Sequence, residues 1–342
     1  KLDPDRLADP SGVYSGLGAD SGVLAVGLRR KVDETYSAFA ENNIDIFGKR
    51  RSITQTYGVI FTPDAQWTIN GAVEFGTIID NSVDPVTLAD RSDFDRKAGS
   101  LSLGYKDDEK GLTARIRGEA RIERSQDHTR DRNTYLFATG MSWKQNPDWT
   151  LIGNLDAVYS DQLTSTLLDG AYVEGSIGYA YRPVLNDKLN LLAKYTYLYD
   201  LPGPDQVNAS GDLLGPAQRS HIFSIDGTYD VAPWLSVGAK YGARIGQIRE
   251  RNSAVWERSE VHLGIIRADL NIVKEWDALL EGRALYSRYQ HTVDYGALAA
   301  IYRHVGNNMK LGVGYNFGRF SDDLRDLTFD DQGFFFNLVG KF

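Results

Sequence analysis

The stretch LTARIRGEARIER, residues 112–124, places small or apolar residues and charged residues at alternating positions. Leu112, Ile116 and Ile122 fall on one side of an extended chain, whereas Arg115 and Glu119 fall on the other, because successive strand side chains point to opposite faces. In a helix the same charges would be spread around the cylinder. The stretch also exceeds the roughly 5–6 residues of a typical soluble strand. It therefore predicts a long β-strand with one apolar and one charged face.

The same alternation recurs along the chain between Gly, Pro, Asn and Asp clusters, which separate the strands by short turns and longer polar links in alternation. Such an order is typical of transmembrane barrels, which have short periplasmic turns and longer extracellular loops. The predicted strands are 34–43, 52–62, 66–79, 94–106, 112–124, 133–145, 148–160, 170–182, 188–200, 219–230, 234–249, 258–273, 276–288, 294–304, 308–320 and 333–342. We predict an all-β, antiparallel up-and-down transmembrane barrel of about 16 strands.

The N-terminal residues 1–33 are the open point of this prediction. Residues 22–31 are strand-like, and counting them alone gives an odd number of strands, whereas bacterial barrels have an even number. Residues 1–33 are thus predicted to be a linker, a segment in the lumen or one or more extra strands. If residues within 11–18 form a short strand that pairs with 22–31, the barrel has about 18 strands. The barrel domain itself is predicted over residues 34–342.

Composition excludes several other classes of protein. The 342 residues include no cysteine, so a disulfide scaffold, a zinc site with thiolate ligands and a thiol enzyme are excluded. The net charge of −8 argues against a nucleic-acid partner. No apolar run reaches the roughly 18 residues of a helical membrane span, and the mean hydropathy of −0.36 suits a barrel whose strands are apolar on alternate positions only. No cofactor is indicated.

Tryptophan is concentrated at the short turns. Four tryptophans lie at the start of a predicted strand, directly after a short turn. A fifth lies at the end of a predicted strand, directly before a short turn. Aromatic residues form girdles at membrane interfaces. We therefore predict a membrane-interface girdle made of Trp67, Trp143, Trp149, Trp234 and Trp276.

Charged residues opposite the apolar faces are predicted to line the lumen. They carry both signs, which fits either a water-filled pore or a ladder of salt bridges that braces the wall or holds a plug. The arginine-rich strand 112–124 is the first candidate for a constriction. The predicted lumen residues are Glu74, Arg115, Arg117, Glu119, Arg121, Glu123, Asp156, Glu174, Lys194, Asp226, Lys240, Arg244, Glu281 and Arg283.

The C-terminal sequence GFFFNLVGKF places Phe334, Phe336, Leu338 and Phe342 on one face. It resembles the C-terminal signature of outer-membrane proteins, which implies recognition by the barrel-assembly machinery. Membership of that class also implies outer-membrane lipid and lipopolysaccharide as surroundings. An ordinary edge strand is the alternative.

A second resemblance covers roughly residues 50–342. Its motifs are GYAYRPVLNDKLNLLAKYTYLYDLPGPDQV (178–207), QRSHIFSIDGTYD (218–230), GAKYGARIGQ (238–247) and LGVGYNFGRFSDDLRDLTFDDQGFFFNLVGKF (311–342). These are similar to the C-terminal barrel domain of very large proteobacterial surface proteins. The resemblance implies a non-enzymatic outer-membrane barrel. Such a barrel would anchor or conduct either its own upstream polypeptide or a secreted or surface protein. A free-standing porin or substrate channel is the alternative.

Candidate chemistry outside the lumen is weak. The five histidines have no metal-ligand spacing. Ser220 and His221 would be the pair of a remote alternative, a hydrolase at the barrel rim, but no nucleophile motif flanks them. Asp322, Asp323 and Asp326 offer hard oxygen ligands for Ca²⁺ without the EF-hand order, so a solvated loop is the preferred interpretation.

Overall fold

The computed structural model describes residues 23–45, 50–81, 92–162, 170–201, 217–250, 253–273, 275–306, 309–318, 320, 324 and 332–340. These residues form seventeen strands and no helix. The strands are β1 Val23–Lys31, β2 Tyr36–Asp45, β3 Arg50–Phe61, β4 Trp67–Asp80, β5 Phe94–Asp107, β6 Leu112–Ser125, β7 Arg132–Lys144, β8 Trp149–Gln162, β9 Gly170–Tyr181, β10 Leu189–Leu201, β11 Ala217–Ala232, β12 Leu235–Arg249, β13 Glu257–Val273, β14 Trp276–Ser287, β15 Thr292–Val305, β16 Met309–Asn316 and β17 Gly333–Gly340. Within the described part of the chain, no helix is long and apolar enough to cross a membrane.

Strands β2–β17 correspond one to one to the sixteen predicted strands, and the strand-like residues 22–31 form the additional strand β1. The largest difference concerns β16, which was predicted over 308–320 and ends at Asn316. The physical reason is local. Asn316 Oδ1 accepts a hydrogen bond from the Gly318 N–H at 3.0 Å, which turns the backbone out of the extended conformation.

The chain divides into two compact units, which are described separately. Unit 1 comprises Lys1–Ser142, Asn154–Glu174 and Tyr199–Ala217. Here β1 to β6 pair with their sequence neighbours in antiparallel register, for example Leu28 with Ala40 and Leu103 with Ile116. Unit 2 comprises Trp143–Gly153, Gly175–Leu198 and Gln218–Phe342, in which β12 to β17 pair in the same way.

One Asx motif recurs in the short turns of both units. Asp64 Oδ1 accepts hydrogen bonds at 2.8 Å from the N–H groups of Gln66 and Trp67. Asn146 Oδ1 does the same at 3.0 Å for Asp148 and Trp149. Asn and Asp suit such positions because their side chains bond the backbone two residues on. The motif therefore fixes an aromatic residue as the first residue of the next strand.

Neighbouring short turns are joined by backbone hydrogen bonds. In unit 1 the Thr62 N–H donates to the Thr35 carbonyl at 2.8 Å, and the Lys106 N–H donates to Gln66 at 2.8 Å. In unit 2 the Asn271 N–H donates to Trp234 at 2.9 Å, and the His304 N–H to Glu275 at 2.8 Å. Within each unit the short turns thus share one end of the sheet, which we call the short-turn end. The opposite end is the long-loop end.

The two faces of the strands differ in burial. In β12, Gly238, Gly242 and Arg244 are buried, whereas Val237, Tyr241 and Ile245 are exposed. We call the more buried face inward and the exposed apolar face outward. Inward aromatic rings lie over glycines of the neighbouring strand: Phe39 over Gly58, Tyr302 over Gly312 and Phe335 over Gly314. A glycine is required there because a Cβ would overlap the ring.

Candidate functional site

The inward face of β6 in unit 1 carries a ladder of ion pairs. Arg117 Nη2 lies 2.6 Å from Glu119 Oε2, and Arg121 Nη2 lies 2.8 Å from Glu119 Oε1. The three side chains are two residues apart, so the alternation of the strand brings them onto one face. Arg115, next along this face, is exposed. The charged side of residues 112–124 is thus largely paired with itself.

A more deeply buried cluster lies at the long-loop end of the same strand. Glu123, with 1% of its surface exposed, accepts a hydrogen bond from Arg96 Nε at 2.8 Å and from Arg132 Nε at 2.9 Å. Asp80, also buried, pairs with Arg130 Nη1 at 3.1 Å. Neutralisation by opposite charges is the condition under which carboxylates tolerate burial. This cluster was predicted only in part, since Arg96, Arg130 and Asp80 carry no distinguishing sequence signal.

The link between β6 and β7, residues 126–131, closes over this cluster. Asp131 Oδ1 accepts a hydrogen bond from the Ser125 N–H at 3.0 Å, and Asp131 Oδ2 lies 2.9 Å from His128 Nδ1. Burial raises the pKa of the Asp131 carboxyl, but these hydrogen bonds outweigh burial and hold its pKa below the usual value. A hydrogen bond from the Ser92 hydroxyl lowers the pKa of Asp127 in the same link. The link is thus organised by ionised carboxylates.

In unit 2 the inward face has two buried arginines. Arg244, 1% exposed, donates from Nε to Ser220 Oγ at 3.0 Å and from Nη2 to Gln218 Oε1 at 2.6 Å. Arg283 is paired with Glu281 on the same strand, and its Nη1 donates to the Phe320 carbonyl at 3.3 Å. The second contact ties the link between β16 and β17 to the inward face of β14.

An apolar patch surrounds these arginines, although the inward faces were predicted to be polar. Leu263 is fully buried, and Phe320 and Leu324 from the β16–β17 link pack with the strand residues. A Cβ at Gly242 would stand 2.9 Å from Leu324 Cδ1, which shows how closely this residue approaches the wall. The cluster comprises Ile222, Val261, Leu263, Ile265, Leu285, Phe320 and Leu324. The inward wall of unit 2 is therefore covered at this point by the chain itself.

The remaining predicted lumen residues lie on the inward faces of their strands with different exposure. Glu174 is buried and accepts a hydrogen bond from the Tyr172 hydroxyl. Asp156 is exposed, and an intermediate exposure is found for Glu74, Lys194, Asp226 and Lys240. A role of these residues in lining a passage stays a prediction.

The structure separates Ser220 from His221. Ser220 points inward to Arg244, whereas His221 points outward, where its Nδ1 lies 2.8 Å from the Tyr195 hydroxyl. Adjacent strand residues face opposite sides of the sheet, so they form no nucleophile–base pair. No group of His, Asp or Glu suited to a metal ion occurs among the described residues. Asp322, Asp323 and Asp326 lie outside them.

The predicted girdle residues lie at the short-turn ends of their strands. Trp67, Trp149 and Trp276 are the first residues of β4, β8 and β14, Trp143 is near the end of β7, and Trp234 lies in the turn before β12. Trp149 stacks on Tyr179 with ring centroids 4.7 Å apart. Phe334, Phe336 and Leu338 are exposed on the outward face of β17, and Phe342 lies outside the described residues. Their interfacial and assembly roles stay predictions.

The outward face of unit 1 contains a shallow apolar recess of ≈ 1180 Å³. Small residues form its floor, among them Ala40, Gly71, Gly99 and Gly118, and Leu101 stands at its margin. A Cβ added at any of these three glycines would meet nothing within 4 Å. No sequence motif marks the recess, because its floor combines residues of β2 to β6.

No family model and no curated protein matches the sequence. The structure is similar to that of the copper transporter OprC, with a TM-score of 0.55 and 12% identity over 93% of this chain and 62% of that chain. It is also similar to the siderophore receptor PiuA from Acinetobacter baumannii, with a TM-score of 0.51 and 10% identity over 88% of this chain and 64% of that chain. These likenesses show the fold.

The chain has the fold of an outer-membrane β-barrel. It has the antiparallel up-and-down strand order that the sequence predicts. In barrels of this fold the short turns are periplasmic and the longer links extracellular. The chain spans less than two thirds of the length of the two solved structures described above. By name, the first is a transporter and the second a receptor.

Proposed function

We propose that this barrel anchors a surface-exposed polypeptide in the outer membrane and has no enzymatic activity. The direction of β1 carries the proposal. Lys31 lies opposite Ser37 beside the short turn 32–35, whereas Val23 lies opposite Asp45 at the long-loop end. The chain therefore enters β1 from the extracellular side. A polypeptide joined upstream of this point would be displayed on the cell surface.

The pairing of the inward charges supports an anchor over a solute channel. Glu119 is held between two arginines of its own strand, and Glu123 is shared by Arg96 and Arg132. Ion pairs of this kind hold the side chains against the wall and brace it, which suits a structural role, although the four arginines outnumber the two carboxylates. Phe320 and Leu324 cover part of the inward wall of unit 2, and this also favours an anchor over a solute channel.

The anchoring proposal is tested by epitope display on intact cells. We would insert one epitope immediately before Val23 in the full chain and, in a matched control, the same epitope in the short turn 108–111. The first epitope is expected to bind antibody on intact cells, and the second only after permeabilisation. An epitope before Val23 that requires permeabilisation would overturn the proposal.

A free-standing porin or substrate channel is a second candidate, and one observation favours it. Arg115 is exposed on the inward face, and the Arg117 side chain is 56% exposed despite its ion pair. Free cationic groups on a lumen wall favour anions. Single-channel recording in planar bilayers separates the candidates: a stable conductance whose anion preference falls in Arg115→Ser supports the channel, whereas a barrel without discrete conductance supports the anchor.

A further inference from the structure

Three polar side chains lie in one row across the outward face of β11, β12 and β13, at the extracellular end of unit 2. Gln247 is the register partner of Arg258, and Arg219 Nε donates to Gln247 Oε1 at 2.6 Å. Adjacent strands are about 4.8 Å apart, so the two guanidinium groups flank Gln247 within reach of a single ligand. An outward pair of arginines is unusual there, because the outward residues of β12 from Leu235 to Ile245 are apolar or aromatic.

The row lies just beyond the membrane core. On β12 the outward residues from Leu235 to Ile245 are apolar or aromatic, and the polar residues Gln247 and Arg249 follow. A tilted strand of about 9–11 residues crosses the hydrocarbon core, and the segment 235–245 has this length. The row is therefore at the level of the extracellular headgroups.

An aromatic belt immediately below the row supports this level. Tyr195 stacks on His221 with centroids 6.1 Å apart, and His262 stacks between Tyr241 and Tyr286, with both centroid distances 6.2 Å. Amphipathic rings of this kind mark a membrane–water interface. On β11 Arg219 comes two residues before His221, so Arg219 is the next outward position toward the extracellular side.

Trp256 holds two arginines in place at this level. The Arg219 guanidinium carbon lies 4.5 Å and that of Arg249 5.0 Å from the Trp256 ring centroid. Arg249 Nε and Nη2 are buried and have no hydrogen-bond partner within the described residues, whereas Arg258 is exposed and forms no ion pair with any of them. Cation–π contacts orient the guanidinium groups without consuming their hydrogen-bond donors.

The nearby carboxylate does not neutralise the row. Glu260, the next outward residue of β13, is engaged by Arg288 Nη1 at 2.8 Å to both oxygens, and by His262 Nε2 at 3.2 Å. Glu257 faces the opposite side of β13 from Arg258, since the two residues are adjacent in the strand. Arg219, Arg249 and Arg258 thus keep a net positive charge at this level.

We propose that Arg219 and Arg258, together with Arg249, bind the phosphate groups of the glycolipid that forms the outer leaflet of the membrane, and that Trp256 orients Arg219 and Arg249. Guanidinium groups bind phosphate through paired, charge-assisted hydrogen bonds. Because these arginines lie on the outward face, they can meet a lipid headgroup, whereas a ligand entering through the lumen would meet the inward face. The proposal rests on the membrane fold and is independent of the anchoring function.

The test measures binding of lipopolysaccharide by the purified full chain in detergent, with wild type compared to Arg219→Gln/Arg258→Gln. The double variant is expected to bind at least about tenfold more weakly, because each basic residue near a lipid surface contributes a severalfold effect. The matched control is Arg303→Gln. Arg303 lies over Trp276, 5.5 Å from its centroid, at the periplasmic end, and its loss should leave binding unchanged.

Two further arms separate the sources of phosphate and guard against misfolding. Dephosphorylated lipopolysaccharide should bind wild type as weakly as the double variant, and millimolar inorganic phosphate should fail to displace the intact lipid. Displacement by inorganic phosphate, or equal binding by the double variant, would overturn the proposal. Arg219→Lys/Arg258→Lys retains the charge and should recover most of the affinity, and heat-modifiable gel mobility confirms the fold of every variant.

Discussion

The ring of Tyr302 on β15 lies against Gly312 on β16, its register partner, so that a Cβ at Gly312 would overlap the ring. Gly312→Ala should therefore destabilise the barrel by about 1–3 kcal/mol, the usual effect of overpacking. Gly282→Ala is the control, because a Cβ there meets nothing within 4 Å. Urea unfolding in lipid vesicles measures the difference, and equal effects of the two substitutions would contradict it.

The outward face of β6 should reject charge. Ile116 is 46% exposed on this face, and Ile116→Arg is expected to cost about 2–4 kcal/mol near the bilayer midplane. Arg115→Gln, one residue away on the inward face, should cost far less. Heat-modifiable mobility of the refolded variants compares the two positions. Similar tolerance at both would contradict the assignment of the faces.

Removal of the buried carboxylate of Glu123 should be severe. Glu123→Gln leaves Arg96 and Arg132 without their shared anion, and breaking a buried ion pair on one side costs on the order of 3 kcal/mol. In the control Glu119→Gln the loss should be smaller, because the partner Arg117 is 56% exposed and can be hydrated. Equilibrium unfolding of both variants would reveal an equal loss if this argument is wrong.

Acid should weaken the link of residues 126–131 between β6 and β7. The pKa of the Asp131 carboxyl is lowered in the folded state, so its stabilising effect is present above the ordinary value of 3.8 and is lost as pH falls through the lowered pKa. Between pH 7 and pH 3 wild type should lose more stability than Asp131→Asn. The thermal midpoint at pH 7, 5 and 3 measures this loss. Asp294→Asn is the control, because Asp294 is exposed, and its midpoint should change with pH as that of wild type does.

Phe320 should contribute to stability through the inward apolar patch. Phe320 is 7% exposed among Leu263 and its neighbours, and Phe320→Ala is expected to cost about 3 kcal/mol or more. Phe317→Ala is the matched control, since Phe317 is exposed on the outward face three residues earlier. If Phe317→Ala proved the more damaging in urea unfolding, the inward packing of the link would be refuted.

The order and faces of the strands, and sixteen of the seventeen described strands, could be predicted from the sequence because they follow from a period of two residues and from turn chemistry, both of which are local. The strand over 112–124 was predicted nearly to its ends, since Leu112–Ser125 alternates throughout. The Asx residues before Trp67 and Trp149 mark the starts of their strands in the same local way. The residues 22–31 were recognised as strand-like, but their pairing partner could not be deduced from alternation.

The contacts that give the faces their properties were decided by tertiary structure. Arg96 and Arg132 meet at Glu123, and Arg219 and Arg249 meet at Trp256, only because antiparallel registers bring together residues from different strands and links. Phe320 was expected at the end of a strand and instead packs on the inward wall, because Asn316 turns the backbone and Leu263 offers an apolar surface. Alternation tells which side of a strand a residue occupies, whereas register and link geometry determine what it meets there.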